Sequence, residues 1–199
     1  MSQFKGPDRR SEGIVKMAAV MYGLMSVVAL VWGLSRGLMA SWWSFDSLMD
    51  VPPAMALGVG AGLSGVLISQ HLDRTVEGIR RLGDRFASIL GGTSTREAVF
   101  LAAFSSVGEE LLFRGCMQEE WGLWPATIIF AVVHTGPQKL FLWWTASAFV
   151  FGLGLGWLYE HQGGLLAPIL MHFVINALNI RFLGLRGKLS DRDRLNYKF

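Results

Sequence analysis

AVFLAAFSSVGEELLFRGCM, residues 98–117, carries two carboxylates and a guanidinium inside an otherwise apolar run. Such a run approaches the roughly 20 residues that cross a bilayer as a helix. An ionisable side chain near the middle of a membrane helix costs about 2.5–3.5 kcal/mol or more, so it pairs with another polar group or lines a wet cavity. Glu109, Glu110 and Arg114 therefore fix two things together. The segment is a helix in a bundle, and the bundle encloses polar chemistry.

Composition agrees outward from this stretch. Apolar residues make up 52% of the 199-residue chain and charged ones 17%, against about 25% charged in a soluble domain. The sequence predicts an all-α, polytopic membrane helical bundle. Its six spans fall at 14–34, 52–70, 96–118, 122–135, 140–159 and 165–182. Between the second and third, Leu72, Val76, Ile79, Phe86 and Leu90 recur at helical spacing among arginines, which predicts an amphipathic helix on a membrane face over 71–96. The chain divides into a polar cytoplasmic lead (1–13), N-terminal spans with the interfacial helix (14–95), a core (96–182) and a basic cytoplasmic tail (183–199). Basic residues concentrate in the lead, in 71–96 and in the tail, so both termini are expected on the cytoplasmic side of the cell's inner (plasma) membrane.

Smaller signals refine this reading. Ala54, Gly58 and Gly62 lie one turn apart and predict a close helix–helix contact within the chain. Trp42 and Trp43 are expected as interfacial anchors, and Thr95 as a helix cap. Pro125 suits the first turn of its helix. The single cysteine, Cys116, excludes an internal disulfide and a paired-cysteine metal site and reads as a packing residue. Nucleic acid is not expected as a partner, because the arginines of 71–96 are interleaved with Asp73, Glu77 and Asp84.

The polar residues within the spans fall on three helices in i,i+4 pairs: Glu110 with Arg114, Phe130 with His134, and His172 with Asn176. Glu110 and Arg114 share a face and read as a structural brace. Glu109 points about 100° away, beside Ala102, Ser105 and Ser106, whose small size leaves room for water. It reads as the free acid, a general base. His134 ends its helix at His-Thr-Gly-Pro. His172 and Asn176 offer hydrogen-bond donors to one cavity, as an oxyanion site requires. The economical arrangement gathers Glu109, His134, His172 and Asn176 around one pocket near the bilayer midplane.

Glu109-Glu110-x-x-x-Arg114, Phe130-x-x-x-His134 and His172-x-x-x-Asn176, in that order, resemble the CPBP family of intramembrane proteases, the CAAX-protease/abortive-infection family. The resemblance covers about 95–180. It implies a glutamic-type endopeptidase in which Glu109 activates water with help from His134. His172 and Asn176 would stabilise the oxyanion, and Glu110 with Arg114 would hold the site in shape. It implies no cofactor and no metal, and a membrane-anchored protein or peptide as partner, met within the lipid bilayer. Compact bacterial members that remove C-terminal sorting tails of exported proteins, the myxosortase kind, fit a six-span chain. The residues by themselves leave other classes open: a metal-dependent membrane protease, a non-catalytic immunity or scaffold protein, and a proton-coupled transporter. The oligomeric state is not encoded in any feature of the chain.

Overall fold

The computed structural model describes residues 9–196, with side chains described for 12–189. Residues 1–8 of the expected lead and 197–199 of the expected tail lie outside the described residues. The helices are α1 (Arg9–Arg36), α2 (Val51–Thr75), α3 (Glu77–Leu90), α4 (Thr95–Leu112), α5 (Glu119–Trp121), α6 (Leu123–Val133), α7 (Leu142–His161) and α8 (Leu166–Asn196), and a π-helical segment, Phe113–Gln118, joins α4 to α5. No strand occurs among the described residues; an isolated backbone bridge joins Trp43 to Gly164. This is the all-α membrane bundle expected from composition.

Four helical stretches are long and apolar enough to cross a membrane: Glu12–Arg36, Leu48–Thr75, Lys139–His161 and Leu166–Leu189. The other two expected spans take a different form. The 96–118 span is α4 with its π-helical extension, and five charged residues (Arg96, Glu97, Glu109, Glu110, Arg114) lower its apolarity. The 122–135 span is the 11-residue α6, about 16 Å long at 1.5 Å per residue. The two helices that carry the first two polar pairs thus differ from a regular span for separate reasons, α4 by its charges and α6 by its length.

Helix α4 lies between α1 and α8; α2 and α3 pack on α8, and α6 pairs with α7 and closes over the π-helical segment. The small-residue face of α2 makes one of these contacts. A Cβ added at Gly58 would lie 2.5 Å from the backbone oxygen of Ala167, and one at Gly62 2.7 Å from Val174. The predicted close approach is therefore intramolecular, and α8 is its partner.

Ser94, rather than Thr95, caps α4. Its hydroxyl accepts from the Glu97 amide while the Glu97 carboxylate accepts from the Ser94 amide at 2.8 Å, a reciprocal capping box. The amphipathic helix is present as α3, with Leu82 and Ala87 buried. It packs more firmly onto protein than a helix resting on lipid alone. Arg186 of α8 pairs with Asp73 at 2.8 Å and Asp84 at 2.7 Å, and Phe86 meets Phe141 and Trp144 edge-on. Helix α1 already includes Arg9–Gly13 and α8 runs on to Asn196, so parts of the expected lead and tail are helical.

One of the two expected interfacial anchors is a core residue. Trp43 is 55% exposed, but Trp42 is only 8% exposed, and its indole N–H donates to the Gly115 carbonyl at 2.7 Å. The reason lies in the π-helical segment. Its wider turn breaks the regular i→i−4 ladder, and the Gly115 carbonyl takes an outside donor. Gly33 and Gly115 lie against the indole ring, where no side chain would fit.

Candidate active site

Three helices deliver the polar groups, and each is held for a local reason. Glu109 and Glu110 occupy the last turn of α4, both buried. Arg114 follows one turn on, and its Nη1 donates to Glu110 Oε1 at 3.0 Å. Its Nη2 donates to the Gly152 carbonyl of α7 at 3.2 Å, and its guanidinium carbon stands 4.3 Å from the centroid of the Phe130 ring. With Arg114 1% exposed and Glu110 0% exposed, the cation is desolvated and held on three sides. The expected brace is present in this geometry.

Glu110 has a second partner that spacing along α4 does not reveal. His172 Nδ1 lies 2.6 Å from the same Oε1. A carboxylate oxygen only accepts, so Nδ1 carries the proton and the Nε2 face of the ring is turned toward Glu109. The brace thus extends to a third helix: Arg114, Glu110 and His172 are one hydrogen-bonded chain across α4 and α8.

His134 is set the same way by a different acceptor. Its Nδ1 is 2.7 Å from the Phe130 carbonyl, which fixes that nitrogen as the donor and again leaves Nε2 toward the site. The ring sits 4.4 Å, centroid to centroid, from Phe130, and the Trp144 ring meets it edge-on at 5.2 Å. Thr145 donates its hydroxyl to the His134 carbonyl at 2.9 Å, satisfying the frayed end of α6.

The two Nε2 atoms converge on one oxygen. His134 Nε2 is 3.5 Å and His172 Nε2 3.9 Å from Glu109 Oε2. That oxygen is buried and has no hydrogen-bond partner. With both Nδ1 atoms protonated, two neutral imidazoles would present lone pairs to a carboxylate, three acceptors facing one another. A proton on one of the rings, or the O–H bonds of a water molecule, resolves that conflict. The charges give the same result: Glu109, Glu110 and Arg114 sum to −1, and one further proton neutralises the buried cluster.

Asn176 stands one turn of α8 beyond His172. Its Nδ2 donates to Ser105 Oγ at 2.9 Å, which leaves its second amide hydrogen uncommitted. Of the small residues beside Glu109, Ala102, Ser105 and Ser106 are buried, and Ser105 orients Asn176 through this bond. Cys116 is also buried, with its thiol 3.3 Å from the Ala29 carbonyl; it packs between α1 and the π-helical segment, as expected.

Sequence reasoning missed Tyr22. It lies on α1, far from the polar pairs in the chain, and its backbone packs against Gly108, the residue before Glu109. A lone tyrosine in a first span carries no periodic signal. The hint was Gly108, directly before Glu109, where an added Cβ would lie 2.8 Å from the Tyr22 carbonyl oxygen. Among the described residues, no three His, Cys, Asp or Glu side chains stand in a geometry that holds a metal ion.

Residues 92–178 match the family model described as type II CAAX prenyl endopeptidase Rce1-like. The three polar pairs from which the resemblance was read all fall within this matched segment. The chain is also similar to the uncharacterized protein YpbD of Bacillus subtilis (strain 168), 38% identical over 109 residues, covering 52% of this chain and 56% of that protein. It thus spans about half the length of the curated relative it matches. No solved structure matches the chain.

Proposed function

With an Rce1-like segment at 92–178 as premise, we propose that the protein is a glutamic-type intramembrane endopeptidase. The observation that carries this reading is the convergence of His134 Nε2 and His172 Nε2, at 3.5 and 3.9 Å, on the unpartnered Oε2 of Glu109. A water molecule between them has one strong acceptor for its proton and two imidazoles to fix its orientation. Glu109 removes a proton as the water oxygen bonds to the scissile carbonyl carbon. The oxyanion that forms takes hydrogen bonds from the free amide hydrogen of Asn176 and from His172, which donates from Nε2 when its ring is protonated. The proton on Glu109 then passes, with His134 adjacent, to the amide nitrogen. The C–N bond breaks, leaving a carboxylic acid and an amine. Glu110 and Arg114 do not touch substrate; they hold His172 in the tautomer and orientation that the step uses.

The substrate class in this reading is a membrane-anchored protein that offers an extended segment, since a helix shields its own carbonyls. Removal of sorting tails from exported proteins, at the inner membrane with both termini cytoplasmic, fits the placement of the basic residues.

The test compares wild type with Glu109→Gln in the native host, at equal protein abundance. Mass spectrometry of membrane and secreted fractions should find a defined set of proteins retaining an uncut membrane segment in the variant. A stable Glu109→Gln protein with no accumulating substrate would overturn the reading in favour of a non-catalytic role. Cleavage by the purified protein that persists in strong chelators separates this reading from a metal-dependent protease.

A further inference from the structure

Helix α8 carries its polar face past the site. His172, Asn176, Asn179 and Leu183 follow one another at i, i+4, i+7 and i+11, within about 60° of one side of the helix. Asn179 and Leu183 line a cavity of about 140 Å³ enclosed by α2, α3 and α8. We propose that this cavity is a substrate subsite, an inference that rests on the proteolytic reading of the site. It takes one uncharged apolar side chain of the extended segment, within about two residues of the scissile bond. Asn179 stands three residues beyond Asn176, a rise of about 4.5 Å along α8, and an extended chain advances about 3.3 Å per residue. A second element brings the cavity to the site. Phe86, part of its wall, meets the Trp144 ring at 5.1 Å, and Trp144 meets the His134 ring at 5.2 Å.

The lining matches that occupant. Ile79, Leu82 and Phe86 of α3 with Phe182 and Leu183 of α8 make an apolar wall. A cavity of about 150 Å³ lined by such residues holds one benzene ring, so leucine or phenylalanine fits here. The opposite edge is polar, with Ser69 and Gln70 of α2 and Asn179 of α8. Ser69 donates its hydroxyl to Asn179 Oδ1 at 3.1 Å. The amide nitrogen of Asn179 has no hydrogen-bond partner among the described residues, and neither has the side chain of Gln70. Uncommitted amides of this kind can pair with the backbone of an extended peptide, whose carbonyls accept and whose N–H groups donate. Charge sets a further limit. Asp73 lines the cavity, and Arg186 pairs with both Asp73 and Asp84, so the three sum to −1. A free C-terminal carboxylate is repelled from such a rim, and an internal position of the chain is not.

The test uses the full chain in proteoliposomes and a quenched fluorescent peptide that carries one apolar membrane segment and is cut by the wild type. Mass spectrometry of the products locates the bond. Each position within two residues of it is then replaced in turn by Ala, Leu, Phe or Asp. At one position kcat/KM should rise about tenfold or more from Ala to Leu or Phe, the scale of burying such a side chain, and Asp should be cut no faster than Ala. Ile79→Trp fills the cavity and should lower the Leu-to-Ala ratio about tenfold. Leu67→Ala, at a position of α2 that is 69% exposed, should not move it. General misfolding slows both peptides alike, so a ratio that Ile79→Trp leaves unchanged overturns the inference. A second readout needs no turnover. In Glu109→Gln, a diazirine analogue of leucine at that peptide position should crosslink to Ile79, Phe86 or Leu183 on illumination; adducts confined to other residues overturn the inference. Should Glu109→Gln cut as fast as wild type, the catalytic reading of Glu109 fails, and the crosslinks still decide whether the cavity holds the peptide.

Discussion

Replacing Arg114 with methionine removes the one cation of the buried cluster while keeping an unbranched chain of similar length. The structure sets the scale. Arg114 is 1% exposed and Glu110 0% exposed, paired at 3.0 Å, so neither group regains water when its partner is lost. Breaking one side of a buried pair costs about 3–5 kcal/mol, because the remaining charge stays buried and uncompensated. The bond to the Gly152 carbonyl and the cation over the Phe130 ring are lost as well. For a chain of this size that corresponds to a melting temperature lower by about 6–20 °C. Glu110→Gln alone leaves Arg114 unpaired and weakens the bond to His172, so a loss on the same scale is expected. In the double variant Glu110→Gln/Arg114→Met no isolated charge remains, and the loss should be clearly less than the sum of the two. The assay is thermal unfolding of all four proteins in one detergent, followed by tryptophan fluorescence. Strict additivity, or an Arg114→Met protein within about 1 kcal/mol of wild type, a margin typical of surface changes, would refute the brace.

Other outcomes follow from single contacts. Ser105→Ala removes the acceptor that orients Asn176 and should lower kcat by about tenfold, as loss of one hydrogen bond does, whereas Asn176→Ala should lower it by about 100-fold or more, as loss of an oxyanion donor does; equal effects would mean that Asn176 serves only to hold Ser105. Gly58→Val places side-chain atoms against the Ala167 backbone and should destabilise by about 1–3 kcal/mol through overpacking, read as a lower melting temperature at unchanged oligomeric state. On the exposed face of α3, bonds from Arg80 and Arg81 hold the Glu77 carboxyl below its ordinary value. Because the shift is downward, its support of α3 is complete above the ordinary carboxylate range and lost as pH falls through the lowered value. Amide exchange of α3 should therefore quicken at acid pH in wild type, and much less in Glu77→Gln.

How much of this was legible in the chain depended on how far apart the partners lie in sequence. The brace between Glu110 and Arg114 is four residues long, so helical geometry alone disclosed it. The same holds for the assignment of Glu109 and Glu110 to different faces of α4, and for the small-residue face of α2. Partnerships between helices were another matter. Glu110 shares its oxygen with His172, 62 residues away, and Asn176 donates a hydrogen bond to Ser105, 71 residues away. Neither pairing leaves a periodic trace. Trp42 was misread for a related reason. A tryptophan between two spans is usually an interfacial anchor, and only the carbonyl accepting its indole proton at Gly115 marks it as core. The span count was blurred by the same charges that revealed the site, since Glu109, Glu110 and Arg114 make α4 less apolar than a helix that merely crosses lipid.

The π-helical segment at Phe113–Gln118 also bears on how relatives should be aligned. Its backbone bonds reach one residue further than those of an α-helix, so it accommodates one residue more than a continuous helix would over the same length. At its start Arg114 keeps its i,i+4 relation to Glu110. By its last position, the surplus residue turns Gln118 by about 100°, onto the Gly156 carbonyl and Glu160 of α7, at 2.9 and 3.0 Å. A homologue lacking that residue would keep the acidic pair and the arginine and shift everything after them by one place. Gap placement at 113–118 therefore decides whether position 118 is compared with its true counterpart, and a one-residue deletion there is a frame change in three dimensions.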